Sequence, residues 1–159
     1  MLFTETERHP MFSSLLDRAT RLLAQRDHSV EELKEKIRLS VWRSQQRGAV
    51  EHAAIDETAL ASVIAWCEEN GWLDDQRFTR LFIQSRGRNG YGPQRIRQDL
   101  QQKGVERELI SQELAETDID WQQQAENVAR KKYGHKWPTE AREKARLQRF
   151  LHSRGFLME

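Results

Sequence analysis

Catalysis would need a nucleophile, an acid–base pair or a set of metal ligands, and the 159-residue chain offers few candidates. Asp74 and Asp75 are adjacent carboxylates, but a pair placed just before an apolar helical run is explained by a helix N-cap. The five histidines, His9, His28, His52, His135 and His152, show neither i,i+4 ligand spacing nor a neighbouring acidic cluster, so no metal site is expected. Cys67 falls on an apolar helical stripe, which suits a small core residue better than a reactive thiolate. As the single cysteine it excludes an internal disulfide and a four-cysteine zinc site. The chain reads as a binding protein that needs no cofactor, not as an enzyme.

The residues suited to binding are cations. Arg86-Gly87-Arg88-Asn89-Gly90-Tyr91-Gly92-Pro93-Gln94-Arg95-Ile96-Arg97 combines four guanidiniums, a tyrosine and three glycines. Such a loop can contact phosphates, or carboxylates on a protein partner, and it opens onto a helix N-terminus whose free N–H groups favour anions. Its glycine order matches neither the dinucleotide fingerprint nor a P-loop, so a nucleotide site is not expected. A second block runs through Arg130-Lys131-Lys132-Tyr133-Gly134-His135-Lys136-Trp137, and Arg142, Arg146 and Arg149 follow on one helical face. Aromatics among cations suit stacking and counterion release on single-stranded nucleic acid. The plainer reading puts Tyr133 and Trp137 in the core and the cations in solvent. Residues 98–114 imitate a helix-turn-helix, but the second helix carries Glu106, Glu108, Glu113 and Glu116 against Arg107. An acidic helix is repelled by phosphates, so sequence-specific DNA readout is disfavoured.

These cations are segregated within a nearly neutral total of 26 basic and 25 acidic side chains. Residues 77–104, with Lys103 near their end, hold seven basic side chains and one acidic, while residues 105–126 hold one basic and seven acidic. Residues 127–158 return to nine basic against two acidic. Basic blocks of that density point to a polyanion or an acidic protein surface as partner. No apolar run approaches the roughly 18–20 residues of a membrane span, and no secretory signal is visible, so a cytosolic protein is expected; it is separately expected to be a monomer.

The elements that must carry these residues all read as helices. Phe12, Leu15, Leu16, Ala19, Leu22 and Leu23 recur at three and four. Ser29 with Glu32 forms a capping box before Leu33, Ile37 and Val41. Asp56 caps a third helix with Leu60, Val63, Ile64 and Cys67, closed at Asn70-Gly71. Asp74 caps a fourth, whose expected core face is Phe78, Leu81, Phe82 and Ser85. Pro93 opens a fifth with Ile96 and Leu100, stopped at Gly104, and Leu109, Ile110 and Leu114 mark a sixth. Asp118 or Asp120 begins a seventh with Trp121, Ala125, Val128 and Ala129, and Thr139 an eighth with Leu147, Phe150 and Leu151. No segment alternates as a strand, so the fold class is all-α.

Weak self-similarity organises the helices into three tandem three-helix repeats. Leu22-Leu23…Arg26…Ser29…Leu33…Ile37 resembles Leu81-Phe82…Arg86…Pro93…Ile96…Leu100, and Gly71-Trp72-Leu73 resembles Gly155-Phe156-Leu157. After an N-terminal tail, 1–10, the repeats are expected at 11–73, 74–117 and 118–159, with an inserted segment at 43–54. The third ends before a last helix. Stacked repeats of this kind build an elongated, curved array.

Several stretches together resemble the RecX family of bacterial regulatory proteins. They are Leu16-Asp17-Arg18-Ala19, Arg26-Asp27-His28-Ser29 with Glu32-Leu33, Asn70-Gly71-Trp72-Leu73-Asp74-Asp75-Gln76-Arg77-Phe78, Tyr91-Gly92-Pro93-Gln94-Arg95-Ile96-Arg97 and Arg149-Phe150-Leu151-His152-Ser153-Arg154-Gly155-Phe156. Trp72 stands where the family more often has Tyr. The resemblance implies a protein that binds the RecA recombinase, as monomer and as its filament on single-stranded DNA, and lowers RecA's ATPase, recombinase and coprotease activities. It would thereby regulate DNA repair and the SOS response. Arg86, Arg88, Tyr91, Arg95 and Arg97 are the expected central contacts, with Lys103, Arg130, Lys131, Lys132, Arg142, Arg146 and Arg149 as further ones to RecA or to DNA. The alternative from the residues alone is a non-specific single-stranded nucleic-acid binder.

Overall fold

In the computed structural model, which describes residues 10–48, 54–134 and 136–156, the chain forms helices without any strand among those residues. They are α1 (Pro10–Gln25), α2 (Val30–Arg47), α3 (Glu57–Glu69), α4 (Asp75–Arg88), α5 (Pro93–Gln102), α6 (Arg107–Glu116), α7 (Trp121–Tyr133) and α8 (Ala141–Ser153). The N-terminal tail before Pro10, residues 49–53 of the inserted segment, His9, His52, His135 and the last three residues lie outside the described residues. Residues 43–47 of the segment expected as an insertion continue α2 as far as Arg47, closed at Gly48. The chain divides into two compact units after Phe78.

The first unit is built on α1–α3. Phe12, Leu15, Ala19 and Leu23 of α1 meet Leu33, Ile37 and Val41 of α2 and Ala59, Leu60, Val63, Ile64 and Cys67 of α3 in one buried cluster. Each large aliphatic chain so buried stabilises the unit by about 1.5–3 kcal/mol. Local chemistry fixes where the helices start. The Ser29 hydroxyl accepts from the Glu32 N–H at 3.1 Å, and the Asp56 carboxylate accepts from Thr58 and Ala59. The Asp74 carboxylate accepts from Gln76 and Arg77, which accounts for one member of the acidic pair. Asp75, the other member, reaches across to the start of α2 and accepts the Val30 N–H at 2.8 Å. Arg77 pairs with Asp27 at 3.2 Å and donates to the Gly71 carbonyl at 2.9 Å, so both carboxylates and the arginine hold loops together.

The second unit is built on α4–α8, with Ile83, Ile96, Leu100, Val105, Ile110, Leu114, Ala125, Ala129, Leu151 and Phe156 buried. Two expectations are corrected here. The buried face of α4 is Phe78, Thr79, Ile83 and Gly87, whereas Leu81 is 48% exposed and Ser85 is also exposed. The rotation follows from Gly87, where an added Cβ would stand 2.8 Å from Ile119 Cδ1, so α4 turns its smallest residue to the segment before α7. Phe82 is left half-buried, facing cations instead of the core. The second correction is the start of α8, which begins at Ala141 after Glu140, not at Thr139, and receives no side-chain cap. Asp120 caps α7, accepting the Gln123 N–H at 3.1 Å.

Candidate contact surface

The second unit brings parts of both basic blocks together around three rings. Tyr91 follows α4 in a tight loop, and its ring is approached by the guanidiniums of Arg86, Arg95 and Arg154 at 5.8, 5.4 and 5.2 Å from its centroid. Arg86 also lies 5.1 Å from the Phe82 ring, which Lys103 approaches at 5.9 Å. On the other side Arg154 lies 5.5 Å from the Phe150 ring, and Lys132 stands over that ring at 3.9 Å. The result is an alternating row: Lys103, Phe82, Arg86, Tyr91, Arg154, Phe150, Lys132. Each exposed cation–ring contact contributes only about 0.5–1 kcal/mol, so the rings orient the cations more than they hold the fold. A guanidinium lying on a ring keeps its N–H edge free to take a carboxylate or phosphate in bidentate fashion.

Close backbone approach makes this row. Gly92 donates its N–H to the Arg154 carbonyl at 2.7 Å, and Gln94 donates to the Gly155 carbonyl at 3.1 Å. A Cβ on Gly92 would sit 2.5 Å from the Gly155 carbonyl, and one on Gly155 would sit 2.4 Å from the Arg95 nitrogen. Gly155 also has φ +96°, a conformation that L side chains rarely adopt. The pair of glycines therefore lets the end of α8 touch the start of α5. Pro93 has no N–H and the Gln94 N–H is taken by the Gly155 carbonyl, so the start of α5 offers an anion fewer donors than expected.

The remaining candidate cations are dispersed. Arg97 turns to α6, donating to the Ser111 hydroxyl at 3.1 Å, and takes no part in the row. Arg95 is shared between Tyr91 and an ion pair with Asp99 at 3.5 Å. Arg88, Arg130, Lys131, Arg142, Arg146 and Arg149 are exposed, with no carboxylate or ring partner among the described residues. Arg130 and Lys131 sit in the last turn of α7, and cations there are favoured by the helix dipole. Of the second block's aromatics, Trp137 is 47% exposed and Tyr133 half-buried, so neither is a full core residue.

Arg154, Phe82 and Phe150 carry the row and were missing from the sequence-based site. The two phenylalanines looked like core positions, which their spacing alone implies. The available signal was Gly155, whose likeness to Gly71 marks a repeat junction with Arg154 beside it.

Chemistry beyond anion contact finds no support in the described residues. No group of three or more His, Cys, Asp or Glu that could hold a metal occurs among them. Cys67 is buried in the first unit's core, where loss of solvation, with Glu68 adding to it, pushes its thiol up to about 11. No helix is long and apolar enough to cross a membrane among the described residues.

Comparison with known proteins agrees with this architecture. Residues 74–114 match the family description "RecX, second three-helix domain", and residues 118–159 match "RecX, third three-helix domain". The chain is 48% identical over 154 residues to "Regulatory protein RecX" of Escherichia coli O1:K1 / APEC, and equally to that of Escherichia coli strain K12 / DH10B. Each alignment covers 97% of this chain and 91% of the relative. A crystal structure of RecX from Lactobacillus salivarius superposes with a TM-score of 0.71 at 16% identity, over 92% of this chain and 88% of that one. Another, of regulatory protein RecX, gives 0.69 at 18% identity over 92% and 68%. With that identity across nearly its whole length, two matched three-helix domains and the same all-α fold, the chain belongs to the RecX family of regulatory proteins.

Proposed function

We propose that this protein binds RecA and the RecA–single-stranded-DNA filament in the cytoplasm and chiefly inhibits the filament's ATPase, recombinase and coprotease activities. Membership in a family of regulatory proteins is the first support. The observation that carries the contact is the row of cations and rings from Lys103 to Lys132, which presents guanidinium edges on a shared surface. Carboxylates on RecA are its natural complement, with the filament's DNA as a further anion. Arg142, Arg146 and Arg149 on α8 and Arg130 and Lys131 on α7 would extend the contact. As working repeats we take 11–73, 74–117 and 118–159. A ligand whose repeats touch adjacent protomers gains from effective concentration, and it shifts the filament by its differential affinity for one state.

The test is RecA's single-stranded-DNA-dependent ATPase rate with this protein titrated in. The combined substitution Arg86→Ala, Lys132→Ala, Arg154→Ala is expected to abolish inhibition while circular dichroism stays helical. Arg97→Ala, whose guanidinium faces Ser111, is expected to retain most of it. Undiminished inhibition by the triple variant rejects the row as the contact. The interleaved rings also support a second reading, non-specific binding of single-stranded nucleic acid. That reading requires tight, steeply salt-dependent binding to free DNA with no RecA present.

A further inference from the structure

A cavity of about 520 Å³ lies between α5 and the end of α8, beside the row of cations. One wall is Gln94, Gln98 and Gln102, spaced by four along α5; the other is His152 and Ser153, and Gly155 and Phe156 line it as well. None of the three carboxamides has a hydrogen-bond partner among the described residues. Arg95 and Asp99, also in the lining, neutralise one another at 3.5 Å. A cavity with three idle carboxamides and a self-neutralised ion pair is chemically unlike the cationic row next to it.

Each carboxamide presents one acceptor and two donors. Residues four apart on a helix rise by ~6.0 Å, and an extended chain repeats every two residues at ~6.4–6.8 Å. Because that row also winds about the helix, inclined by ~26° to its axis, its side chains lie ~6.7 Å apart along it, so three carboxamides can pair with the C=O and N–H groups of alternate residues of one extended peptide laid obliquely across α5. Single-stranded nucleic acid has a comparable repeat, but it would bring a phosphate past Asp99 with one already paired arginine to offset it. The balance of charge favours a neutral backbone.

We infer that the cavity between α5 and α8 binds an extended segment of the partner protein through the carboxamides of Gln94, Gln98 and Gln102. This rests on the proposal that the partner is RecA. The row of cations then supplies long-range attraction and the glutamine wall reads the main chain, much as a strand is read by the edge of a sheet.

The experiment uses overlapping fluorescein-labelled peptides covering the RecA sequence, measured by fluorescence anisotropy with the full chain, alongside capture of intact RecA filaments. A contiguous set of peptides is expected to bind, with affinity nearly independent of salt. Gln98→Leu with Gln102→Leu, both at exposed positions, is expected to weaken those peptides by about tenfold or more. Arg107→Ala, exposed on α6 and outside both the row and the cavity, is expected to leave peptide binding unchanged. Side-chain amide signals of the three glutamines in a nitrogen–proton NMR spectrum should shift on adding the tightest peptide. Capture of intact filaments with no peptide bound, or unchanged binding by the double variant, overturns the inference alone. Displacement of the peptides by single-stranded DNA overturns it in favour of nucleic acid. Failure to capture intact filaments removes the RecA reading, and this inference with it.

Discussion

His28 shows how a residue that looked idle is used by the fold. It is 2% exposed; its Nδ1 lies 2.9 Å from the Arg26 carbonyl and its Nε2 lies 3.2 Å from Lys36 Nζ. With Lys36 donating, Nε2 must accept, so the ring is neutral and carries its proton on Nδ1. Burial is the main cause that lowers its pKa from 6.5, helped by Arg26 and Lys36 and opposed by the Arg26 carbonyl and Glu32. Because the folded pKa is depressed, the unfolded chain binds more protons as pH falls through 6.5. Stability is then full above that value and declines below it. Urea titrations on either side of it should show the loss, and His28→Gln should flatten that slope. Sequence spacing gave no hint of Lys36, because that contact depends on how the loop after α1 folds back over α2.

At the scale of elements, helix starts were legible wherever a short polar side chain can reach its own backbone. Ser29, Asp56, Asp74 and Asp120 act so. Thr139 failed because Pro138 is buried and the helix begins two residues later, leaving Glu140 at the cap without a side-chain bond. Glu140→Asp, with its shorter side chain, can supply the missing acceptor and should stabilise α8 by ~0.5–1 kcal/mol. Thermal unfolding followed by circular dichroism checks this; an unchanged or lower midpoint contradicts it. The face of α4 was illegible for a different reason. Leu81 and Phe82 outrank Gly87 in hydropathy, but a glycine that admits Ile119 decides which side of the helix approaches its neighbour. The placement of Phe82 beside Arg86 and Lys103, and so half of the candidate surface, follows from that one contact.

For the whole molecule, the alternation of basic and acidic blocks was readable from residue counts, while their convergence was not. Arg86 and Lys132 are far apart in the chain, and only the apposition of Gly92 and Gly155 makes them parts of one row. A net charge of +1 means that the proposed attraction to RecA rests on local fields and not on the molecule's total. Association with filaments should therefore slow as salt rises past the range where the Debye length falls to ~8 Å, while dissociation changes little. Stopped-flow rates at several ionic strengths check this, and a salt-independent association rate contradicts it. Cys67 has a consequence of another kind. The chain's one thiol is sealed among α1, α2 and α3 and held protonated, so an alkylating dye reaches it only when that half of the protein comes apart. The native sequence thus contains its own clock for the opening of the first unit, readable by mass with no engineered label, while the unit that bears the candidate surface stays silent.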